Sequence, residues 1–266
     1  MARLLLLDDD PSTLTWMTAA LEAHGHEVVA FTSGSAALTA VSTSHVDLIV
    51  ADVLMPEMDG LVFARLVRRY AVPVLFVSLA KKEAEAVLVG AIGFLRKPAS
   101  AMEVRRAVDR TLGDAHHRAA ILVADDDPLV RELYVAFLEA KFDVVAVEDG
   151  AQALDVLRQR RIDLAIVDVH MPIMSGADLV RAMRADPRWE HVPVIVETSD
   201  PTALDAPLWS ALRVSRVMDK QVFASWLDGM LTPPTEERAP PLTTTAPRAA
   251  SSPQRPRRLR STARGG

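Results

Sequence analysis

"LLLLDDDPSTL" (Leu4–Leu14) and "ILVADDDPLV" (Ile121–Val130) share one plan. Each is a run of four apolar residues that ends in three aspartates and a proline. Four apolar residues without alternation read as a strand buried on both faces. Neighbouring carboxylates at the end of such a strand repel one another by ~4 kcal/mol at about 4 Å and an effective dielectric near ~20. A chain that keeps this arrangement twice uses the acids for something.

Working outward, the two stretches belong to a long internal repeat. Gly34 matches Gly150, Asp47-Leu48 matches Asp163-Leu164, and "DVLMPEMDG" (Asp52–Gly60) matches "DVHMPIMSG" (Asp168–Gly176), all 116 positions apart. The aspartate triplets are offset by 117 and Val72-Pro73-Val74 from Val192-Pro193-Val194 by 120. A repeat of this length with small drifts at turns is a duplicated domain.

In the first copy, strands are predicted at Arg3–Leu7, Val28–Phe31, Leu48–Ala51, Val74–Val77 and Phe94–Arg96. Helices are predicted between them at Ser12–Ala23, Ser35–Val41, Gly60–Arg69, Lys81–Val89 and Ala101–Leu112. Short apolar strands alternating with amphipathic helices predict an α/β fold, an open five-stranded parallel sheet covered on both faces. The second copy repeats the plan. The expected organisation is a first domain at 1–113, a linker at 114–119, a second domain at 120–231 and a disordered Pro/Arg-rich tail at 232–266.

The chain has 266 residues, a formal net charge of −5 and no cysteine. Disulfides and thiolate chemistry are therefore excluded, and a cytoplasmic location is the expectation that follows. The N-terminal apolar run is too short for a signal sequence or a membrane span. Seven arginines and two glutamates give the stretch from Thr232 to Gly266 a charge of +5, so the rest carries −10. An acidic body is a poor nucleic-acid binder by bulk charge.

Ligands in open α/β sheets bind beyond the carboxyl ends of the strands. Asp8, Asp9, Asp52, Ser78 and Lys97 fall there in the first copy, and Asp125, Asp126, Asp168, Thr198 and Lys220 in the second. Clustered carboxylates suit a hard dication such as Mg²⁺, which keeps coordination sites for a phosphoryl oxygen. A carboxylate is also a nucleophile in phosphoryl transfer. Asp10 and Asp127, each before a proline, read as helix N-caps. Met55, Met58, Met171 and Met174 read as loop packing, and His116-His117 as plain linker.

Both copies resemble receiver domains of bacterial two-component response regulators, of the CheY-like, flavodoxin-like (βα)5 type. The resemblance rests on an acidic pair after strand one, D-x-x-M-P-x-M-x-G after strand three, Ser/Thr after strand four and Lys after strand five. It implies that Asp52 and Asp168 accept a phosphoryl group from a histidine kinase or histidine phosphotransfer protein. It implies Mg²⁺ held by Asp9 and Asp126 directly, by Asp8 and Asp125 mostly through water, and by Asp52, Asp168 and the backbone carbonyls of Leu54 and His170. Ser78 and Thr198 would move toward the phosphate, Lys97 and Lys220 would pair with it, and Phe94 would be the switch aromatic.

Two departures stand out. The spacing around Ser78 is short, which predicts a truncated fourth helix in the first copy. In the second, Lys220 precedes Gln221 where the first has Lys97-Pro98, and Val217 stands at the place of Phe94. The resemblance implies a signalling protein that catalyses only its own phosphorylation and dephosphorylation. No helix-turn-helix follows the second copy. Output would then pass through a downstream protein partner, a dimer of receiver surfaces, or phosphorelay. Two other readings compete: an unreactive pseudo-receiver scaffold, and a haloacid dehalogenase-like phosphatase using Asp8/Asp10 or Asp125/Asp127 as a D-x-D pair.

Overall fold

The computed structural model describes residues 1–115, 117–204 and 207–232. His116 and nearly all of the predicted tail lie outside them. The first copy runs β1 (Arg3–Leu7), α1 (Pro11–Glu22), β2 (Glu27–Phe31), α2 (Gly34–Thr43), β3 (Leu48–Ala51), α3 (Gly60–Val67), β4 (Val74–Ser78), α4 (Glu83–Leu88), β5 (Gly93–Arg96) and α5 (Ala101–Gly113). The second runs β6 (Ala120–Ala124), α6 (Pro128–Leu138), β7 (Asp143–Val147), α7 (Gly150–Gln159), β8 (Leu164–Asp168), α8 (Gly176–Ala185), β9 (Val194–Thr198), α9 (Pro201–Leu204), α10 (Pro207–Ala211), β10 (Arg216–Asp219) and α11 (Lys220–Leu231). Each copy is a five-stranded, all-parallel sheet, ordered β2-β1-β3-β4-β5 and β7-β6-β8-β9-β10.

Leu4 to Leu7 show why the strand needs no polar alternation. Leu5 and Leu7 pack under α2 and α3 with Phe63 and Phe76, whereas Leu4 and Leu6 pack under α1 and α5 with Leu14, Leu21 and Val108. Both faces are covered by helices, so every position is apolar. The first aspartate then marks where cover ends. Asp10 caps α1 by accepting from the Ser12 and Thr13 amides, with Pro11 at the first helical position, and Asp127 caps α6 through the Leu129 amide. Both third aspartates are thus spent on their own helices.

The register sets the site. Leu7 pairs with Ala51, and the Asp52 amide donates to the Leu7 carbonyl, so Asp8 and Asp52 emerge side by side. Ala124 pairs with Val167 and Asp168 with Glu197 in the second copy.

The fourth helix of the first copy is short. As expected, α4 has six residues. In the second copy α9 and α10 lie on either side of positions 205–206, which are outside the described residues, at the place where the spacing predicts an ordinary fourth helix. Pro201 opens α9, as proline favours.

The two copies touch through α4. Ala84 and Leu88 are fully buried in one cluster with Ile195, Phe223 and Leu227 of the second copy. Glu85, only 2% exposed, accepts from Arg216 Nη2 at 2.6 Å and from Lys82 at 3.0 Å. Arg216 also lies over the Trp226 ring, 5.1 Å from its centroid. Burial raises the cost of a charged Glu85, but Arg216 and Lys82 outweigh it and hold the carboxyl below its usual range.

Candidate functional site

At the carboxyl end of the first sheet, Lys97 Nζ sits 2.6 Å from both Asp8 Oδ2 and Asp52 Oδ2. Asp52 Oδ1 accepts from the Ser78 hydroxyl and from the Leu54 amide at 3.0 Å. Asp8 Oδ1 accepts from the Asp10 amide at 3.0 Å. Asp8, Asp52 and Ser78 are buried and Asp9 is exposed, with one oxygen of each of the three acids within 4.8 Å of the others. Burial pushes the Asp8 carboxyl above its usual range against the pull of Lys97. Burial also opposes charge on Lys97, but its bonds to Asp52 and Asp8 prevail and raise it.

The second rim repeats this. Lys220 Nζ lies 2.8 Å from Asp125 Oδ2 and 3.0 Å from Asp168 Oδ2. Asp125, Asp126 and Asp168 form the matching oxygen cluster. Burial raises the Asp168 carboxyl, with Lys220 pulling it back. Thr198 is fully buried, and its hydroxyl accepts from the Asp200 amide at 3.0 Å.

Both rims are held by a glycine. A Cβ on Gly60 would lie 2.1 Å from the Asp52 carbonyl oxygen, and one on Gly176 would lie 2.1 Å from that of Asp168. The helices after the acids can approach this closely only without a side chain. Met58 and Met174 pack on Gly34 and Gly150, which bears out their reading as loop packing.

The sequence model described as "Response regulator receiver domain" matches residues 4–109 and 121–225. The chain belongs to this family. Its two copies are receiver 1 and receiver 2, components of two-component signalling. The DNA-binding response regulator MtrA of Mycolicibacterium smegmatis is 38% identical over 92 residues, 34% of this chain and 39% of MtrA. The transcriptional regulatory protein GlrR of Escherichia coli is 32% identical over 160 residues, 56% of this chain and 36% of GlrR. The chain thus spans less than two-fifths of the length of these relatives. The chemotaxis protein CheY4 of Vibrio cholerae is 31% identical, with a TM-score of 0.40 over 41% of this chain and 98% of CheY4.

Every predicted acid and lysine reaches its rim, and Ser78 bonds Asp52, whereas the Thr198 hydroxyl is partnered by the Asp200 amide. Lys220 reaches its rim without the proline that follows Lys97. Lys97-Pro98 is cis, and α5 begins only at Ala101, whereas α11 starts at Lys220 itself with Asp219 as its N-cap. The ammonium still meets both acids. Phe94 lies half-buried in β5, its ring 6.3 Å from that of Phe76. Val217 packs in the corresponding core of receiver 2. The side chains of Leu54 and His170 are exposed, which leaves their backbones as the parts nearest the acids.

Sequence reasoning missed Glu197 and Tyr134. Glu197 is fully buried on β9, and Tyr134 on α6 donates its hydroxyl to Glu197 Oε2 at 2.6 Å. Lys220 Nζ stands 3.9 Å from Glu197 Oε1. Burial first, and a hydrogen bond with Asp125 second, push the Glu197 carboxyl up to about 9. It therefore keeps its proton at neutral pH and can donate to Asp125. The signal was visible as the one acid inside the apolar run "VIVET" (Val194–Thr198).

Receiver domains generally bind Mg²⁺ at such an acidic pocket, and the donor set here fits one. Each rim offers an exposed carboxylate beside two buried ones, all oxygen donors. The single lysine ammonium at each rim balances only part of that charge. No helix among the described residues is long and apolar enough to cross a membrane.

Proposed function

We propose that both receivers take a phosphoryl group on aspartate, Asp52 in receiver 1 and Asp168 in receiver 2, from a phosphohistidine on a histidine kinase or phosphotransfer protein. The Asp carboxylate oxygen forms a bond to phosphorus as the N–P bond breaks, and the imidazole leaves as the neutral base after taking a proton. The observation that carries this reading is the convergence of Asp52 with Lys97 and Ser78, and of Asp168 with Lys220, on one rim of each sheet. Lys97 and Lys220 hold the acids in place before transfer and pair with the added charge after it. Ser78 can turn its hydroxyl from Asp52 to a phosphoryl oxygen.

Asp8, Asp9, Asp52 and the Leu54 carbonyl would hold Mg²⁺ in receiver 1, and Asp125, Asp126, Asp168 and the His170 carbonyl in receiver 2. The ion supplies charge neutralisation between carboxylate and phosphoryl oxygens. The phosphatase reading is disfavoured, because Asp10 and Asp127 cap helices instead of facing the rim.

The proposed units are residues 1–113 and 120–231, joined by 114–119. With α4 of receiver 1 seated on receiver 2, the proposed output is a change in contacts between the receivers and with a downstream protein. Incubation with acetyl phosphate tests the chemistry. Intact mass is expected to show phosphoryl addition with Mg²⁺ and none with a chelator. No addition in either buffer would leave the unreactive scaffold.

A further inference from the structure

Far from both rims, His24, His26 and Asp109 of receiver 1 gather at the opposite edge of the sheet. His24 and His26 flank Gly25 in the turn between α1 and β2, and Asp109 stands on α5. Gly25 has a φ of +89°, which a residue with a side chain rarely adopts. This turn ends α1 and brings the two imidazoles together, with ring centroids 5.7 Å apart. His24 Nε2 lies 3.3 Å from Asp109 Oδ2, and His26 Nε2 lies 3.9 Å from Asp109 Oδ1.

The second observation concerns His26 alone. Its side chain is only 8% exposed, yet both ring nitrogens are buried without a hydrogen-bond partner. Buried polar atoms are nearly always paired, so this imidazole has a lone pair aimed at the cluster with nothing to receive it. An electrophile placed among the three residues would satisfy it.

We propose that His24, His26 and Asp109 form a transition-metal site of the Zn²⁺ class. Two imidazoles and one carboxylate suit Zn²⁺ and its neighbours, whereas Mg²⁺ prefers oxygen ligands alone. Metal–ligand bonds of about 2.0–2.1 Å at tetrahedral angles place donors about 3.3 Å apart. The His24–Asp109 pair already has that spacing; His26 Nε2 stands 3.9 Å from the other Asp109 oxygen, and one donor of each residue lies within 4.8 Å of the others, so the site tightens by up to about 1.5 Å on binding. His24 and Asp109 have side chains 41% and 52% exposed, so an ion can enter and water can take the fourth position. Bound there, it would clamp the α1–β2 turn to α5. The five residues of β2, at about 3.3 Å each, separate it from the phosphoacceptor end of the sheet by roughly 15 Å.

The test is competition between the full chain and a chromophoric chelator for Zn²⁺, with Mg²⁺ in excess to occupy the acidic rims. The wild type is expected to bind one ion in the micromolar range that His24→Ala and Asp109→Asn weaken by about tenfold or more, since even residues behind a metal ligand cost that much. His45→Ala, which removes a histidine paired only with Asp47, is expected to leave it intact. His24 is exposed, so its loss does not threaten the fold, and a urea unfolding curve that matches the wild type checks that receiver 1 is sound. Equal Zn²⁺ binding by wild type and His24→Ala, or no micromolar binding by the wild type, would overturn the proposal.

Discussion

At the position before the rim hydroxyl, receiver 1 carries Val77 and receiver 2 carries Glu197; facing them from the first helix stand Met17 and Tyr134. All four are buried. An apolar pair in one copy has become a hydrogen-bonded polar pair in the other, and the two changes make sense only together. A carboxyl beneath Asp125 and Lys220 is tolerable when it stays protonated and Tyr134 donates to it. Receiver 2 thus surrounds its lysine with three acids where receiver 1 uses two. The duplicated fold holds the rim geometry fixed while the polarity beneath it varies.

The hardest way to break this comparison is to remove the lysines. Lys97→Met leaves Asp8 and Asp52 buried without their cation, and Lys220→Met does the same to Asp125 and Asp168. Each is expected to destabilise its receiver by ~3–5 kcal/mol in chelator, read by urea unfolding. Added Mg²⁺ should restore part of the loss. A loss below ~1 kcal/mol at both positions would show that the acids do not depend on the lysine.

Glu197→Gln sharpens the comparison. The Glu197 carboxyl sits at about 9 in the folded chain, against an ordinary value of 4.5. The folded state therefore holds a proton that the unfolded state releases. This contribution is fully present below about pH 4.5, shrinks as pH rises, and is gone above about pH 9. Gln keeps the hydrogen bonds without the titration. In metal-free buffer Glu197→Gln should flatten the pH slope of receiver 2 and raise its stability at pH ~8 by about 1–3 kcal/mol. Parallel slopes for wild type and variant would remove the protonated-Glu197 account.

The fourth helix of receiver 1 also joins the two copies. The six residues of α4 are docked through Glu85. Glu85→Ala is expected to cost about 1–2 kcal/mol, less than a fully buried pair because Arg216 is 32% exposed. Thermal unfolding followed separately by tryptophan fluorescence and calorimetry should then lose its coincidence. The smallest effect belongs to the hydroxyls. Ser78→Ala, which breaks the bond to Asp52, should cost ~1 kcal/mol more than Thr198→Val, which loses an acceptor for one amide.

The fold and the rims were legible because both rest on short-range patterns. Four leucines in a row report a strand covered on two faces, and aspartates at its end report where cover stops. What stayed hidden depends on register and on packing between copies. That Glu197 lies beside Asp168 follows from a one-residue pairing of β8 and β9, which no local pattern encodes. The docking of Glu85 on Arg216 joins residues 131 positions apart. Receiver 2 lacks the proline that follows Lys97 in receiver 1. A helix that starts at Lys220 brings the ammonium to the same acids by another path.

The most direct measurement is intact mass after acetyl phosphate and Mg²⁺ on wild type, Asp52→Asn, Asp168→Asn and the double variant. The account predicts up to two phosphoryl groups on wild type, one on each single variant and none on the double. Label persisting on the double variant, or both single variants left bare, would contradict it.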